Sequence, residues 1–200
     1  MRNPANRMID GLSPHRCPGC RLLLVDCICA LLPSLPIRTR VVLVLHNAEE
    51  HKTSNTGRLA IRCLPNSEVV LRGIPGAPTA RVHPDPEMEP LLLFPEADAK
   101  EIGFWKDHAK PVELFVPDGT WGQAQRARNR VGGLGALPCA RVSREGPSTY
   151  RLRTTADPRR LSTLEAIAEA LGVLEGPHIR DELLRIFDVM VERSLRHRVR

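Results

Sequence analysis

The run Val41-Val42-Leu43-Val44-Leu45 constrains this chain most, because it offers no polar side chain to either face of a strand. A strand half open to water alternates apolar and polar residues, whereas a continuous aliphatic run belongs to a parallel strand covered on both faces. Leu91-Leu92-Leu93-Phe94, stopped by Pro95, has the same character. Val112-Glu113-Leu114-Phe115-Val116 has strand length with β-branched and aromatic content, and Glu68 to Leu71 reads as a shorter strand. Further strands are expected over Cys139–Ser143 and Tyr150–Arg153. Helical patterns alternate with these runs. One extends from a cap at Ser54 or Asn55 to about Leu64, another from Gln123 to Arg130. A third follows the capping box Ser162-Thr163-Leu164-Glu165 into an Ala- and Leu-rich stretch. A last helix, about His178 to Arg198, sets Ile179, Leu183, Ile186, Phe187, Met190 and Val191 on one face, to pack on its own core or on a second chain. The class is therefore α/β, a mostly parallel sheet with flanking helices.

Ahead of the first strand stand Cys17-Pro18-Gly19-Cys20 and Cys27-Ile28-Cys29. A Cys-x-x-Cys turn containing Pro-Gly aims two sulfurs at one metal, and the tighter Cys-x-Cys pair supplies two more. His15 is a substitute ligand and a disulfide the alternative, which a reducing cytosol disfavours. Four sulfurs close the site, so the expected metal is structural zinc. Residues 1–36 are expected to form this knuckle and its linker, and 37–200 the main domain. Cys63 and Cys139 sit in apolar segments and read as buried thiols.

No apolar run approaches the roughly 18 residues that a membrane span needs. Met1 to Asp10 is polar and lacks the apolar core of a secretory signal, so a cytoplasmic protein with no membrane partner is expected. The formal charge is +6, and all but Lys52, Lys100, Lys106 and Lys110 of its basic residues are arginine. Arginine suits phosphate and stacks on bases, although a GC-rich genome produces the same excess. The basic cluster Arg193, Arg196, Arg198 and Arg200 reads as a solvated tail.

Ligands of open parallel sheets bind at the carboxyl ends of strands. His46-Asn47-Ala48-Glu49 with Asn55-Thr56, then Phe94-Pro95-Glu96, then Asp118-Gly119-Thr120-Trp121 all leave such ends, and Leu161-Ser162-Thr163 opens a helix N-terminus. Together they offer carboxylates, backbone donors and an aromatic platform. The plain alternatives are an Asp-Gly turn with a core-plugging Trp, a packed His46 and a box that only caps its helix. No Gly-x-Gly-x-x-Gly, Gly-Lys-Ser/Thr or Gly-x-Ser-x-Gly motif is present, which argues against a dinucleotide fold, a P-loop and a serine hydrolase.

In this order, the leading cysteine pairs, Asn55-Thr56-Gly57, Phe94-Pro95, Asp118-Gly119-Thr120-Trp121 and Leu161-Ser162-Thr163-Leu164-Glu165-Ala166 resemble the DTW-domain family, named for its Asp-x-Thr-Trp motif. The likeness runs from about Cys17 to Leu171; one departure is Asn47, where the family often has proline after the His. The resemblance implies a SPOUT-like catalytic domain with a knotted sheet. It also implies a tRNA-uridine aminocarboxypropyltransferase that moves the 3-amino-3-carboxypropyl group of S-adenosylmethionine to N3 of a uridine and releases methylthioadenosine.

On this resemblance Asp118 acts as base or orienter at the uridine edge, and Trp121 stacks on the base or shapes the adenosyl pocket. Leu93, Phe94, Pro95, Asp118, Thr120, Trp121, Leu161, Ser162 and Thr163 would line the S-adenosylmethionine pocket. His46, Glu49, Asn55, Thr56, Arg126, Arg128 and Arg130 would face the tRNA. Cys17, Cys20, Cys27 and Cys29 would hold zinc. Two alternatives stay open: a SPOUT-like RNA methyltransferase, and a zinc-knuckle RNA-binding protein without catalysis.

Overall fold

The computed structural model of the chain describes residues 15–144, 146–152 and 160–196. Its sheet contains β1 (Arg40–His46), β2 (Ser67–Arg72), β3 (Glu89–Leu93), β4 (Lys100–Glu101), β5 (Val112–Asp118) and β6 (Cys139–Arg141). Their spatial order is β2-β1-β5-β3-β6-β4, and every pairing is parallel. The helices are α1 (Asn47–Glu50), α2 (Thr56–Cys63), α3 (Trp121–Arg130), α4 (Thr163–Leu174) and α5 (Pro177–Leu195).

The unbroken apolar runs have the expected cause. Val41, Leu43, Leu45, Leu114 and Val116 face α2, α4 and α5 in the larger core. Their neighbours Val42, Val44, Leu92 and Phe115 face the other way, under Ala124 and Ala127 of α3. The central strands β1 and β5 are thus covered on both sides, and fully burying each such side chain contributes roughly 1.5–3 kcal/mol. The edge strand β2 leaves Glu68 and Val69 exposed, in keeping with its mixed sequence.

Four expectations are corrected. Tyr150–Leu152 is not a strand, and Arg153 lies outside the described residues. Its bonds run elsewhere: the Tyr150 amide donates to the Ser148 hydroxyl oxygen and the Arg151 amide to the Thr149 carbonyl, while the Glu165 carboxylate holds the preceding Ser148 and Thr149. β6 stops at Arg141, short of Ser143. α3 begins at Trp121 and not at Gln123, because Thr120 caps it and Gln123 completes a capping box. The fourth correction concerns the basic cluster: Arg193 Nη1 donates to the Cys27 carbonyl at 2.6 Å and the Asp26 carbonyl at 3.2 Å, and Arg196 pairs with the Asp26 carboxylate at 3.6 Å. These two clamp the knuckle to α5. Arg198, Arg200 and Met1 to Asp10 lie outside the described residues.

The apolar face of α5 is settled in favour of the chain's own core. Ile179, Leu183, Ile186, Phe187, Met190 and Val191 are all buried, together with α4 residues and with Leu22 and Ile28 of the knuckle. Cys63 and Cys139 are buried as expected, and burial pushes the Cys63 thiol up to about 11. No helix among the described residues is long and apolar enough to cross a membrane.

Candidate active site

Because all six strands are parallel, their carboxyl ends open on one edge, where a cleft of about 780 Å³ lies. Asp118, the last residue of β5, stands beside Leu45 of β1 and is only 4% exposed. Its Oδ2 accepts from Asn55 Nδ2 at 2.6 Å, and its Oδ1 accepts from the Thr163 hydroxyl at 2.5 Å. Gly57 makes this approach possible, since a Cβ there would lie 2.8 Å from Asp118 Oδ2. Burial pushes the Asp118 carboxyl up, and the charge of Glu49 adds to that. The bonds from Thr163, Asn55 and the Gly119 backbone oppose the rise without cancelling it. A carboxylate held this way is poised as an acceptor and is easier to protonate than an exposed one.

The chain leaves Asp118 through Gly119, whose φ of +147° favours glycine and whose missing Cβ makes room for Gln123 Oε1. Thr120 accepts from the Gln123 amide and its own N–H donates to Gln123 Oε1 at 2.6 Å, so this threonine builds the helix start. Trp121 follows as the first residue of α3 and is 44% exposed. Its ring stacks on Phe94 with centroids 5.4 Å apart, and the Arg160 guanidinium lies 5.0 Å above it. Trp121 therefore walls the cleft rather than plugging the core, while Phe94, on which it stacks, is part of the smaller core.

Twelve of the expected residues line this cleft: Glu49, Asn55, Thr56, Leu93, Phe94, Pro95, Asp118, Thr120, Trp121, Leu161, Ser162 and Thr163. Ser162 caps its own helix by accepting from the Glu165 amide, and the Leu164 amide reaches the Thr56 hydroxyl. The Leu164 and Glu165 amides of this helix start are thereby occupied. His46, Arg126, Arg128 and Arg130 stand outside the cleft lining. His46 Nδ1 accepts from the Ala48 amide and caps α1. Its imidazole is held towards the neutral form by burial and by the charges of Arg72 and Arg126. Arg128 is paired with Glu96 at 2.9 Å.

Sequence reasoning missed Tyr150, Arg160 and Lys52 in the cleft wall. The Tyr150 hydroxyl donates to the Ser54 carbonyl at 2.6 Å, tying the loop before α4 to the loop before α2. It is the chain's single tyrosine and stands in a polar segment, the one signal that could have marked it. Glu165 organises the same loop: its buried carboxylate accepts from Arg144 at 2.9 Å, the Ser162 amide, the Ser148 hydroxyl and the Thr149 amide. Burial alone would raise its pKa, but these bonds together outweigh burial and the carboxyl lies below its ordinary value. Glu165→Gln should therefore destabilise the fold by about 3 kcal/mol, read from urea unfolding at neutral pH. With a depressed folded pKa, the wild-type contribution is full above the unfolded value and is lost as pH falls through the folded one.

The four cysteines of the knuckle form a second site. Their sulfurs lie within 4.8 Å of one another, with Cys17–Cys29 at 3.5 Å, Cys17–Cys27 at 3.4 Å and Cys20–Cys27 at 3.8 Å. Tetrahedral coordination with metal–sulfur bonds of about 2.3 Å requires sulfurs about 3.8 Å apart, so the group can hold a metal ion. His15 is not in it. Arg62 donates to Cys29 Sγ at 3.3 Å, and Gly19 is needed because a Cβ there would sit 2.8 Å from that sulfur.

A parallel sheet with a ligand-sized cleft at its carboxyl edge, built around one buried carboxylate, defines an α/β protein with a candidate ligand site where open parallel sheets place theirs. The DTW domain model matches residues 14–195, and the chain belongs to that family. It is 32% identical over 180 residues to tRNA-uridine aminocarboxypropyltransferase 2 of Drosophila melanogaster, covering 86% of this chain and 71% of the relative. The protein of the same name from Macaca fascicularis is 30% identical, covering 90% of this chain and 64% of the relative. Among solved structures, the SAM-dependent rRNA:acp-transferase Tsr3 from Vulcanisaeta distributa matches with a TM-score of 0.50 at 18% identity, covering 80% of this chain and 79% of that one; this likeness speaks to the fold.

Proposed function

We propose that this protein moves the 3-amino-3-carboxypropyl group of S-adenosylmethionine to N3 of a tRNA uridine. The observation that carries this reading is the buried Asp118 carboxylate, held by Asn55 and Thr163 at the floor of an aromatic-walled cleft. The relatives' names supply the reaction class and the RNA. The cleft volume suits a nucleoside-sized ligand, and the stacked Phe94–Trp121 pair gives a face for an adenine or uracil ring.

Leu93, Phe94, Pro95 and the backbone at Thr120 and Leu161 to Thr163 would hold the co-substrate. Bound S-adenosylmethionine supplies the electrophilic carbon and a sulfur leaving group that departs with the bonding pair as methylthioadenosine. Asp118 receives or orients the N3 proton, while Asn55 and Thr163 keep its oxygens aimed. The cysteine group would hold a structural zinc.

Mass spectrometry of nucleosides tests the reading, using unmodified tRNA incubated with the protein and S-adenosylmethionine. A uridine heavier by the aminocarboxypropyl group, with methylthioadenosine released in equal amount, is the expected result. A methyl mass would mean a methyltransferase, and no new nucleoside from folded protein would mean a binding module.

A further inference from the structure

Arg72 ends β2 and was not singled out by any local pattern, yet it is buried. Its Nη2 donates to the Gln123 carbonyl at 2.6 Å, which fastens the end of β2 to the first turn of α3. Its Nε is buried without a hydrogen-bond partner, and no carboxylate pairs with it among the described residues. Burial opposes its charge most strongly, Arg126 and Arg130 on the adjacent face of α3 oppose it further, and the charge of Asp118 supports it without outweighing them. Those two arginines are exposed, one turn apart, and neither has a carboxylate partner among the described residues. Arg128, between them in sequence, turns to Glu96 and is neutralised there.

A buried guanidinium with no carboxylate in contact is expensive, the charge of Asp118 offsets only part of that, and two further unpaired cations beside it raise the expense. An arriving anion would relieve all three at once, and the planar fork of arginine suits phosphate. The position is telling, because Arg72 and Arg126 also act on His46, whose strand end adjoins Asp118.

We propose that Arg72, Arg126 and Arg130 form a phosphate-binding site that grips the backbone of the RNA substrate beside the cleft, with Arg128 excluded from it. The site rests on the reading of RNA as the substrate. It differs from a generally basic helix in treating the arginines of α3 unequally.

The test is binding of an unmodified tRNA transcript by fluorescence anisotropy over a range of salt, without S-adenosylmethionine. The double variant Arg126→Gln with Arg130→Gln alters only exposed side chains. It should weaken binding roughly tenfold and lower the slope of log affinity on log salt by about 1.5, as loss of two phosphate contacts requires. Arg128→Gln should keep the wild-type slope. Arg72→Lys, which keeps the charge but loses the fork, should weaken binding with its fold intact by circular dichroism. An unchanged slope in the double variant, or an equal fall in Arg128→Gln, overturns the site. Wild-type protein that binds tRNA but makes no product would instead count against the transferase reading and leave the binding comparison valid.

Discussion

Asp118→Asn is expected to lower aminocarboxypropyl transfer by roughly 10²–10⁴-fold while the protein stays folded. The substitution is nearly isosteric. The introduced amide can keep its oxygen towards Asn55 Nδ2 and donate to the Thr163 hydroxyl, which can reverse its role and accept. What disappears is the negative charge and the capacity to take a proton. If Asp118 is the base, the loss falls on kcat, and wild-type activity rises with pH through a carboxyl value above the usual aspartate range, because burial raises it. If Asp118 only orients the uracil edge, the loss falls on the KM for tRNA and the pH profile keeps its shape. Single-turnover kinetics separate the two, and a variant with wild-type kcat and KM would remove Asp118 from the chemistry altogether.

Removing the zinc proposed for the knuckle is expected to lower Tm by roughly 10 °C, about 4 kcal/mol for a chain of this size. Leu22 and Ile28 stand among the four cysteines in sequence, and they belong to the main core that α5 shares and not to a separate one. Without a metal, four thiols must be held together at 3.4–3.8 Å by weak sulfur contacts, so the loops loosen and those side chains lose their packing. The Arg193 bonds to the Cys27 and Asp26 carbonyls would be lost with them. Elemental analysis should find one zinc per chain, and thermal unfolding with and without a strong chelator reads the effect. Metal-free protein of unchanged Tm would refute the structural role. Cys20→Ser should reproduce the chelator's shift, whereas Cys63→Ser, at a buried thiol outside the group, tests that the effect belongs to the metal ligands.

Much of the architecture was legible because its signals are local. A strand covered on both faces must be apolar at every position, so β1 and β3 announced themselves, and Ser162 with Glu165 marked a helix start by capping chemistry alone. β4 was not legible: its two residues, Lys100 and Glu101, are exposed and join the sheet only because β6 offers them a free edge. Tyr150 to Leu152 misled for the opposite reason. Its pattern suits a strand, but the Tyr150 amide turns back to Ser148, its hydroxyl goes to the Ser54 carbonyl, and Glu165 holds the residues just before it.

By itself the sequence determined the class of the fold, the cysteine group and the segments that meet at the strand ends, since residue type and spacing carry those properties. The tertiary structure alone decided which side chains touch. Asn55 and Thr163 reach Asp118 across 63 and 45 residues of chain, and only a closed parallel sheet brings those loops to one edge. The same closure decided that Trp121 faces the cleft, that Arg128 is neutralised while Arg126 and Arg130 are not, and that Arg72 is buried beside them. Burial and counter-charge are properties of position in space, and a linear pattern cannot express them until the sheet has assembled.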